Sequence, residues 1–310
     1  MSEICLPSTA IRDRLAALAP DLDIAARALV WESGPPPANA LEDVQFWVPA
    51  FLHADPAGAA AAINAMPKLR VIQTQSAGVD NFLAVTPPSI TLCDARGVHG
   101  SSTSEWALTS ILSILREFPR FERAQHDGRW DSGVTDELAG KRVLIVGAGD
   151  VGQHLARRIS ACDATPIMVA RSARDGVHSI SELPALLPGA DVVVLIVPKT
   201  SATIGMVDAD FLARMRDGAL LVNAARGPVV ETDALLAELQ SGRLRAALDV
   251  VEPEPLPSDH PLWKAPNLLL TPHIAGSVLG FGDRVAALIA GQLGRFSSGE
   301  PLINVVDGEY

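Results

Sequence analysis

Six short apolar runs between positions 142 and 271 constrain the fold of this chain more than any other feature. They are near-continuous rather than alternating and are rich in Val, Leu and Ile: Arg142–Val146, Pro166–Ala170, Asp191–Val197, Ala219–Asn223, Ala246–Val250 and Leu268–Thr271. Such runs are typical of parallel strands that are buried on both faces. Helix-like segments separate them, at Val151–Ala161, Ser181–Leu187, Asp208–Met215 and Glu231–Gln240. This alternation predicts βαβ units in a doubly wound α/β sheet.

The first hundred residues repeat the alternation more weakly. Their strand-like pieces are short: Ile4–Leu6, Ala28–Trp31, Val44–Val48, Arg70–Gln73 and Thr91–Cys93. Ala-rich segments between these pieces are predicted to be helices. The 310 residues amount to about twice the usual length of a domain, so we expect two domains.

Two longer helices are predicted on either side of the region with continuous strands. The first should run from about Ser104 to Phe118, because Ser102 and Glu105 have capping-box spacing and Pro119 follows the apolar run. Its apolar residues cover much of its circumference, which favours packing between domains or subunits. The last helix is predicted over Phe281–Phe296.

Composition and charge make nucleic acids, membranes and metals unexpected partners of this chain. The net charge of −11, from 25 basic and 36 acidic residues, disfavours binding to nucleic acid or to an anionic membrane. Cys5, Cys93 and Cys162 form no Cys-x-x-Cys pair and the seven histidines form no ligand cluster, so we expect no metal. The N-terminus lacks the pattern of a signal peptide, and no apolar run reaches membrane-spanning length. We therefore expect a cytoplasmic protein.

A glycine-rich turn follows the first of the continuous strands. Gly147, Ala148, Gly149, Asp150, Val151 and Gly152 come directly after Arg142–Val146 and open a helix-like segment. The first glycine of such a turn allows the bend, the second lets the backbone approach a pyrophosphate, and the third lets helix and strand pack closely. The free N–H groups at the helix N-terminus favour phosphate. This context predicts dinucleotide binding.

The end of the next strand indicates which dinucleotide is used. An acid about 20 residues after the glycines normally accepts from the ribose 2′-OH, but Arg171, Ser172 and Arg174 stand at this place. Guanidinium groups and a hydroxyl suit a 2′-phosphate, which a carboxylate would repel. We therefore expect NADP in preference to NAD. The alternative is that the arginines are solvated and NAD is used, and Asp175 would favour that alternative if the loop register is shifted.

Polar residues stand at the ends of the later strands. Arg226 follows a buried strand, Asp249 ends the next one, and Glu254 lies five residues further on. His273 comes just after the last strand. Ligands of open α/β sheets bind outside the carboxyl ends of strands, so an arginine, an acid and a histidine at these ends indicate a reactive site.

Together these motifs resemble the D-isomer-specific 2-hydroxyacid dehydrogenase family. The resemblance runs from about Arg70 to Ser277 and, more weakly, over the whole chain. It rests on five motifs in family order and spacing: QSAGVD (Gln75–Asp80), GAGDVG (147–152), VNAARG (Val222–Gly227), ALDVVEPEPLP (Ala247–Pro257) and NLLLTPHIAG (Asn267–Gly276).

The resemblance implies roles for particular residues. Arg226 would clamp the carboxylate and 2-oxo group of the substrate, His273 would be the general acid/base, and Glu254 would be the carboxylate partner of His273. The backbone of Ala77, Gly78 and Val79 would receive the substrate carboxylate. The remaining implied residues all serve the cofactor: the six residues of the glycine-rich turn, Pro198, Thr203, Ala225 and Asp249, the last of which would face the nicotinamide carboxamide.

The resemblance also implies a discontinuous architecture. A flavodoxin-like substrate domain would comprise residues 1–99 and 280–310, and an inserted nucleotide-binding (Rossmann) domain would comprise residues 100–279. Relatives are usually dimers joined through their nucleotide domains, and the predicted helix from Ser104 fits that role. The chain as printed predicts no regulatory domain after Tyr310.

The expected reaction is the reversible reduction of a small 2-oxo acid, such as glyoxylate or hydroxypyruvate, to the (R)-2-hydroxy acid. It needs a hydride on C2 and a proton on the emerging alkoxide, which Arg226 and His273 are suited to support. Alternatives are a phosphite or formate dehydrogenase on the same scaffold and a nucleotide-sensing, corepressor-like partner protein. Trp47, Phe51 and His53 could wall the substrate pocket, or Phe46 and Trp47 could simply be core.

Overall fold

The structure, a computed structural model, describes residues 3–32, 34, 40–51 and 55–308. It divides into two compact units, each built on its own parallel sheet. The split unit comprises Met1–His99 and Leu279–Tyr310, and the central unit comprises Gly100–Val278. The predicted fold class, α/β with two parallel sheets, is confirmed.

The split unit contains a five-stranded sheet of order β2-β1-β3-β4-β5, in which every pairing is parallel. Its strands are β1 (Ile4–Leu6), β2 (Ala28–Val30), β3 (Phe46–Trp47), β4 (Val71–Gln73) and β5 (Thr91–Cys93). Its helices are α1 (Thr9–Leu18), α2 (Ile24–Arg27), α3 (Pro56–Asn64), α4 (Asp80–Leu83) and, from the end of the chain, α11 (Phe281–Ser298). This strand order is that of flavodoxin-like folds.

The core of the split unit joins the two ends of the chain. Val285, Ile289 and Leu293 of α11 are buried in one core cluster with Ile4 and Leu6 of β1. The last helix therefore belongs to the same hydrophobic core as the first strand.

The central unit contains a seven-stranded parallel sheet of order β12-β11-β10-β9-β6-β7-β8. Its strands are β6 (Arg142–Val146), β7 (Thr165–Ala170), β8 (Val177–Ser179), β9 (Val192–Leu195), β10 (Leu220–Asn223), β11 (Arg245–Leu248) and β12 (Leu268–Leu270). Its helices are α5 (Gly100–Leu115), α6 (Phe118–His126), α7 (Asp150–Ser160), α8 (Leu183–Leu186), α9 (Ala209–Arg214) and α10 (Thr232–Gln240). The chain reverses its winding direction at β6, between β9 and β7, which is where such sheets bind ligands.

Helix α5 begins earlier than the sequence predicts. It starts at Gly100, so Ser102 is a buried residue of its first turn, and the predicted cap formed by Ser102 and Glu105 is wrong. The helix ends at Leu115, and Glu117 takes a left-handed conformation (φ 53°) that separates it from α6. Pro119 lies in the first turn of α6, where its missing N–H costs no hydrogen bond.

The apolar face of α5 packs within the core of the central unit. Ala107, Ile111 and Leu115 pack in one core with Leu155 and Ile159 of α7. Gly100 favours the close approach of the two helices, because a Cβ there would lie 2.1 Å from Oδ2 of Asp150 and that side chain would have to move.

Candidate active site

Three neighbouring strands of the central unit end at one edge of the sheet. In the register, Asn223 of β10 lies opposite Leu248 of β11, and Leu248 lies opposite Leu270 of β12. Arg226, Asp249 and His273 follow these strand ends within three residues each. The fold therefore brings the predicted polar residues of the later strands to one edge.

His273 and Glu254 form a pair at this edge. Nδ1 of His273 lies 2.5 Å from Oε1 of Glu254, and the two side chains are 30% and 39% exposed. A carboxylate can only accept, so Nδ1 carries the proton and Nε2 is left for a ligand. His273 has a left-handed backbone (φ 54°), which is uncommon for a residue with a Cβ.

The carboxylate of Asp249 accepts hydrogen bonds from the loop that carries His273. Oδ1 accepts from the hydroxyl of Thr271 (2.6 Å) and the backbone N–H of Ile274 (2.9 Å), and Oδ2 accepts from the N–H of Ala275 (2.9 Å). The backbone N–H of His273 donates to the carbonyl of Asp249 at 2.8 Å. Asp249 is only 3% exposed, and Oδ2 keeps one acceptor position for another donor.

The loop of Arg226 is held by Asn223. The side-chain oxygen of Asn223 accepts from the N–H of Ala225 (3.0 Å), and its amide donates to the carbonyl of Arg226 (3.1 Å). Gly227 packs so closely on the neighbouring loop that a Cβ there would lie 1.9 Å from the carbonyl oxygen of Val251. The loops of Arg226 and Glu254 are therefore in direct contact.

The glycine-rich turn has the geometry expected for a pyrophosphate. Gly147 has φ 122°, and a Cβ there would lie 2.2 Å from the carbonyl oxygen of Ile196. A Cβ at Gly152 would lie 2.0 Å from the carbonyl oxygen of Gly147. At Gly149, by contrast, a Cβ would meet nothing within 4 Å, and this residue caps α7 with no side-chain hydrogen bond. The turn thus leaves open backbone and free N–H groups where phosphate oxygens would bind.

The loop after β7 carries the residues predicted to select NADP. Arg171, Ser172 and Arg174 are all exposed, and Nη2 of Arg174 donates to the carbonyl of Ala148 at 2.9 Å. Arg174 is therefore held against the glycine-rich turn. Asp175 is exposed in the same loop, and no acid stands at the end of β7 itself.

Pro198 and Thr203 lie together in the loop after β9. The hydroxyl of Thr203 donates to the carbonyl of Pro198 at 2.6 Å and accepts from the N–H of Thr200 at 2.8 Å. Thr203 is 7% exposed, so its hydroxyl closes this loop, while Pro198 is exposed.

Ala77, Gly78 and Val79 belong to the split unit. They form the loop between β4 and α4, in which the hydroxyl of Ser76 donates to the carbonyl of Gly78 at 2.6 Å. Ala77 and Gly78 are half-buried, and Val79 is fully buried.

The aromatic residues considered for the substrate pocket separate into two groups. Trp47 is 4% exposed and stacks on Trp31 with a centroid distance of 6.2 Å, so it belongs to the core. Phe51 is half-buried and stacks on His99, whose Nε2 lies 2.9 Å from the carbonyl oxygen of Gln75. His53 lies outside the described residues.

Several residues at the site were not singled out from the sequence. Asn223, Thr271 and Trp106 are among them, and Nε1 of Trp106 donates to Oγ1 of Thr271 at 3.0 Å. Asn223 and Thr271 lie within the quoted motifs, but Trp106 is distant in sequence and no pattern connects it to them.

Within the described ranges, no group of three His, Cys, Asp or Glu side chains could hold a metal ion. No helix in those ranges is long and apolar enough to cross a membrane.

The seven-stranded sheet, the open glycine-rich turn and the paired acid and histidine define an NAD(P)-dependent oxidoreductase. Residues 108–275 match the family model described as "D-isomer specific 2-hydroxyacid dehydrogenase, NAD binding domain". The chain belongs to the D-isomer specific 2-hydroxyacid dehydrogenase family, and the resemblance found in the sequence is confirmed.

Three relatives illustrate the similarity. A glyoxylate reductase from Thermofilum pendens is 34% identical over 256 residues, covering 78% of this chain and 76% of the relative. A D-3-phosphoglycerate dehydrogenase from Archaeoglobus fulgidus is 34% identical over 260 residues, covering 80% of this chain but only 49% of the relative. The crystal structure of an NADPH-dependent glyoxylate/hydroxypyruvate reductase from Sinorhizobium meliloti, in complex with NADP and sulfate, matches with a TM-score of 0.86 at 27% identity over the whole of both chains.

Proposed function

We propose that this protein reduces a small 2-oxo acid to the (R)-2-hydroxy acid, with NADPH as the preferred cofactor. The observation that carries the proposal is the pair formed by His273 and Glu254, at the sheet edge that also carries Arg226. A histidine whose Nδ1 is held by a carboxylate presents Nε2 to a bound substrate as a proton donor or acceptor.

Each residue at this edge has a distinct task. His273 would donate from Nε2 to the emerging alkoxide, while Glu254 stabilises the imidazolium through Nδ1. Arg226 would bind the carboxylate and the 2-oxo oxygen of the substrate with its guanidinium fork and polarise the carbonyl. When bound, the reduced nicotinamide supplies the hydride to C2. The reverse reaction uses the same groups with His273 as the base.

A further part of the proposal concerns a loop of the split unit. Backbone N–H groups of Ala77, Gly78 and Val79 would receive the substrate carboxylate. The hydrogen bond between Ser76 and Gly78 supports this role because it fixes the shape of the loop. We propose accordingly that residues 1–99 and 280–310 form the substrate domain and that residues 100–279 form the nucleotide domain.

The cofactor would bind along the carboxyl ends of β6, β7 and β9. Its pyrophosphate would lie at Gly147–Gly152, and Pro198, Thr203, Ala225 and Asp249 would line the remainder of the site. Arg171, Ser172 and Arg174 would bind the 2′-phosphate. The hydrogen bond from Arg174 to Ala148 supports this, because it places a guanidinium beside the turn.

Glyoxylate and hydroxypyruvate are the first substrates to test. The relatives from Thermofilum pendens and Sinorhizobium meliloti carry these names, although the phosphoglycerate dehydrogenase is equally similar in sequence. The decisive assay follows oxidation of NADPH and of NADH side by side with a panel of 2-oxo acids, including 3-phosphohydroxypyruvate. Turnover of a 2-oxo acid supports the proposal, whereas nucleotide binding without turnover of any 2-oxo acid contradicts it and favours a sensor.

We propose further that the protein is a homodimer joined through the nucleotide domains. Phe118, at the start of α6, is 60% exposed, and Trp130 and Val134, in the loop after α6, are 98% and 97% exposed. Their loop is held in place, because Arg120 donates two hydrogen bonds to Asp131, at 2.7 and 3.1 Å. Large apolar side chains on a fixed and exposed loop are typical of an interface.

A further inference from the structure

We infer that Trp106, Thr271 and Asp249 form a chain of hydrogen bonds that positions His273 for proton transfer. The inference rests on the proposed role of His273 as the acid/base. Trp106 and Thr271 are positioning residues, since their side-chain hydrogen bonds join them to each other and to Asp249. Asp249, which is also proposed to line the cofactor site, holds the loop of His273 through its carboxylate.

Asp249 is the fixed end of this chain. It follows β11 and is nearly fully buried, and it binds four groups of one short segment, residues 271–275. Three of these groups are the successive backbone N–H groups of His273, Ile274 and Ala275. A single residue thus accepts the hydrogen bonds that determine the path of this backbone.

The conformation of His273 explains why this support is needed. Its φ of 54° lies in the left-handed region, which is uncommon for a residue with a Cβ and costs free energy that hydrogen bonds of the neighbouring backbone can offset. Two of the hydrogen bonds to the carboxylate of Asp249 come from the two residues that follow His273. Without them the backbone could relax, and the imidazole would move relative to Glu254.

The direction of the chain is fixed by the chemistry of its members. The indole nitrogen of Trp106 can only donate, so Oγ1 of Thr271 must accept its hydrogen bond. The single proton of Thr271 is then directed to Oδ1 of Asp249, at 2.6 Å, which is the short distance of a charge-assisted bond. The chain connects α5, where Trp106 lies, to the loop of His273, and both belong to the central unit.

Variants of Thr271 and Trp106 test the chain without removing a buried charge. Thr271→Val keeps the shape of the side chain but cannot transmit a hydrogen bond, Thr271→Ser keeps the hydroxyl, and Trp106→Phe removes the donor. Thr86→Val is the matched control, because the hydroxyl of Thr86 donates to the carbonyl of Phe82 at 2.8 Å in the split unit. Each variant is measured for kcat, for the KM of the 2-oxo acid and of NADPH, and for the melting temperature.

Loss of the chain should lower kcat and leave the KM for NADPH nearly unchanged. We expect a decrease of about tenfold for Thr271→Val, the effect of one lost charge-assisted hydrogen bond. Thr271→Ser should retain most of the activity, Trp106→Phe should lose a few-fold, and Thr86→Val should match wild type. Equal losses in Thr271→Val and Thr271→Ser, or a rise in the KM for NADPH alone, would overturn the inference.

Amide hydrogen exchange separates this inference from the proposed function. The N–H groups of Ile274 and Ala275 should exchange at least several-fold faster in Thr271→Val and Trp106→Phe than in wild type or Thr271→Ser. This measurement needs no turnover, so it decides the inference even if no 2-oxo acid is reduced. Unchanged exchange in both variants would show that the chain does not hold the loop.

Discussion

His273 combines two features that depend on the fold and cannot be read from its neighbours in sequence. Its left-handed backbone is stabilised by Asp249, and its imidazole meets Glu254, nineteen positions away. The sequence predicts His273, Asp249 and Glu254 as site residues, because they follow predicted strands and lie in motifs that resemble those of the family. It could not indicate Trp106, because the hydrogen bond to Thr271 spans 165 positions and needs the packing of α5.

The first prediction concerns the histidine itself. His273→Asn keeps a polar side chain but removes the acid/base. The kcat for 2-oxo acid reduction should therefore fall at least about a hundredfold. The control is His178→Asn, since His178 forms a similar pair with Glu182 at 2.8 Å on the surface of the same unit. Steady-state kinetics with saturating NADPH measure the effect. Equal kcat in wild type and His273→Asn would exclude the proposed mechanism.

The second prediction concerns the preference for NADPH. Replacing Arg171 and Arg174 with Ala removes the charge-assisted hydrogen bonds to a 2′-phosphate, so the Kd for NADPH should rise about tenfold or more. The Kd for NADH should change little, because NADH has a hydroxyl at that place. Fluorescence titration of both cofactors gives the comparison, with Arg216→Ala, an exposed arginine paired with Asp191, as the control. An equal loss for both cofactors would contradict the assignment.

The third prediction concerns the cysteines. Burial raises the pKa of the Cys5 thiol to about 12 and that of Cys93 to about 11, whereas Cys162 is only half-buried. Since the thiolate is the reactive form, Cys5 and Cys93 should stay unmodified by iodoacetamide at pH 8 in the folded protein. Mass spectrometry should find label on Cys162 alone, and on all three cysteines in denaturant. Label on Cys93 under native conditions would show that its strand opens readily.

Among the helices and strands, the continuous apolar runs were the most reliable signal. β6 has the predicted bounds, and the other five strands of the central unit that were predicted differ from expectation by one to a few residues. The pattern missed β8 because its sequence, Val-His-Ser, is short and half-buried at the sheet edge. The pattern does not predict α6 either, because a proline after an apolar run is typical of a helix end. In the structure Glu117 provides the break, and Pro119 belongs to the first turn of α6.

The fourth prediction compares two glycines of one turn. Gly152→Ala would place a Cβ 2.0 Å from a backbone oxygen, so the free energy of unfolding should fall by about 1–3 kcal/mol or more. Gly149→Ala meets nothing within 4 Å and should leave that free energy within about 0.5 kcal/mol. It should nevertheless weaken NADPH binding, because the methyl group would occupy the approach of the pyrophosphate. Thermal unfolding and cofactor titration of both variants provide the measurements. The reverse order of stabilities would show that the turn is shaped differently.

At the scale of the whole molecule, the chain forms two units, and one of them contains more of the proposed site than the other. The central unit contains the family match and brings Arg226, Glu254 and His273 to one edge of its sheet. The split unit shows the proposed carboxylate loop, Ala77–Val79, but the identity of the substrate depends on side chains around it. These surroundings vary with loop conformation, which apolar periodicity does not encode.

The fifth prediction concerns assembly. If Trp130 and Val134 lie in a dimer interface, the double variant Trp130→Ser/Val134→Ser should be a monomer at micromolar concentration, while wild type has twice the mass of the 32.6 kDa chain. Light scattering coupled to size exclusion measures this directly. Leu18→Ser is the control, since Leu18 is 55% exposed on the split unit. A monomeric wild type, or a double variant that stays dimeric, would contradict the proposed interface.

The joining of the first strand and last helix in one core has a consequence for synthesis on the ribosome. β1 precedes the central unit in the chain and α11 follows it, so the residues of α11 that share a core with β1 are translated only after that unit. The central unit is encoded in one uninterrupted stretch and can complete its sheet while the ribosome is still translating. Until α11 has been translated, the first part of the split unit lacks a share of its core, and exposed apolar surface of this kind is prone to aggregation.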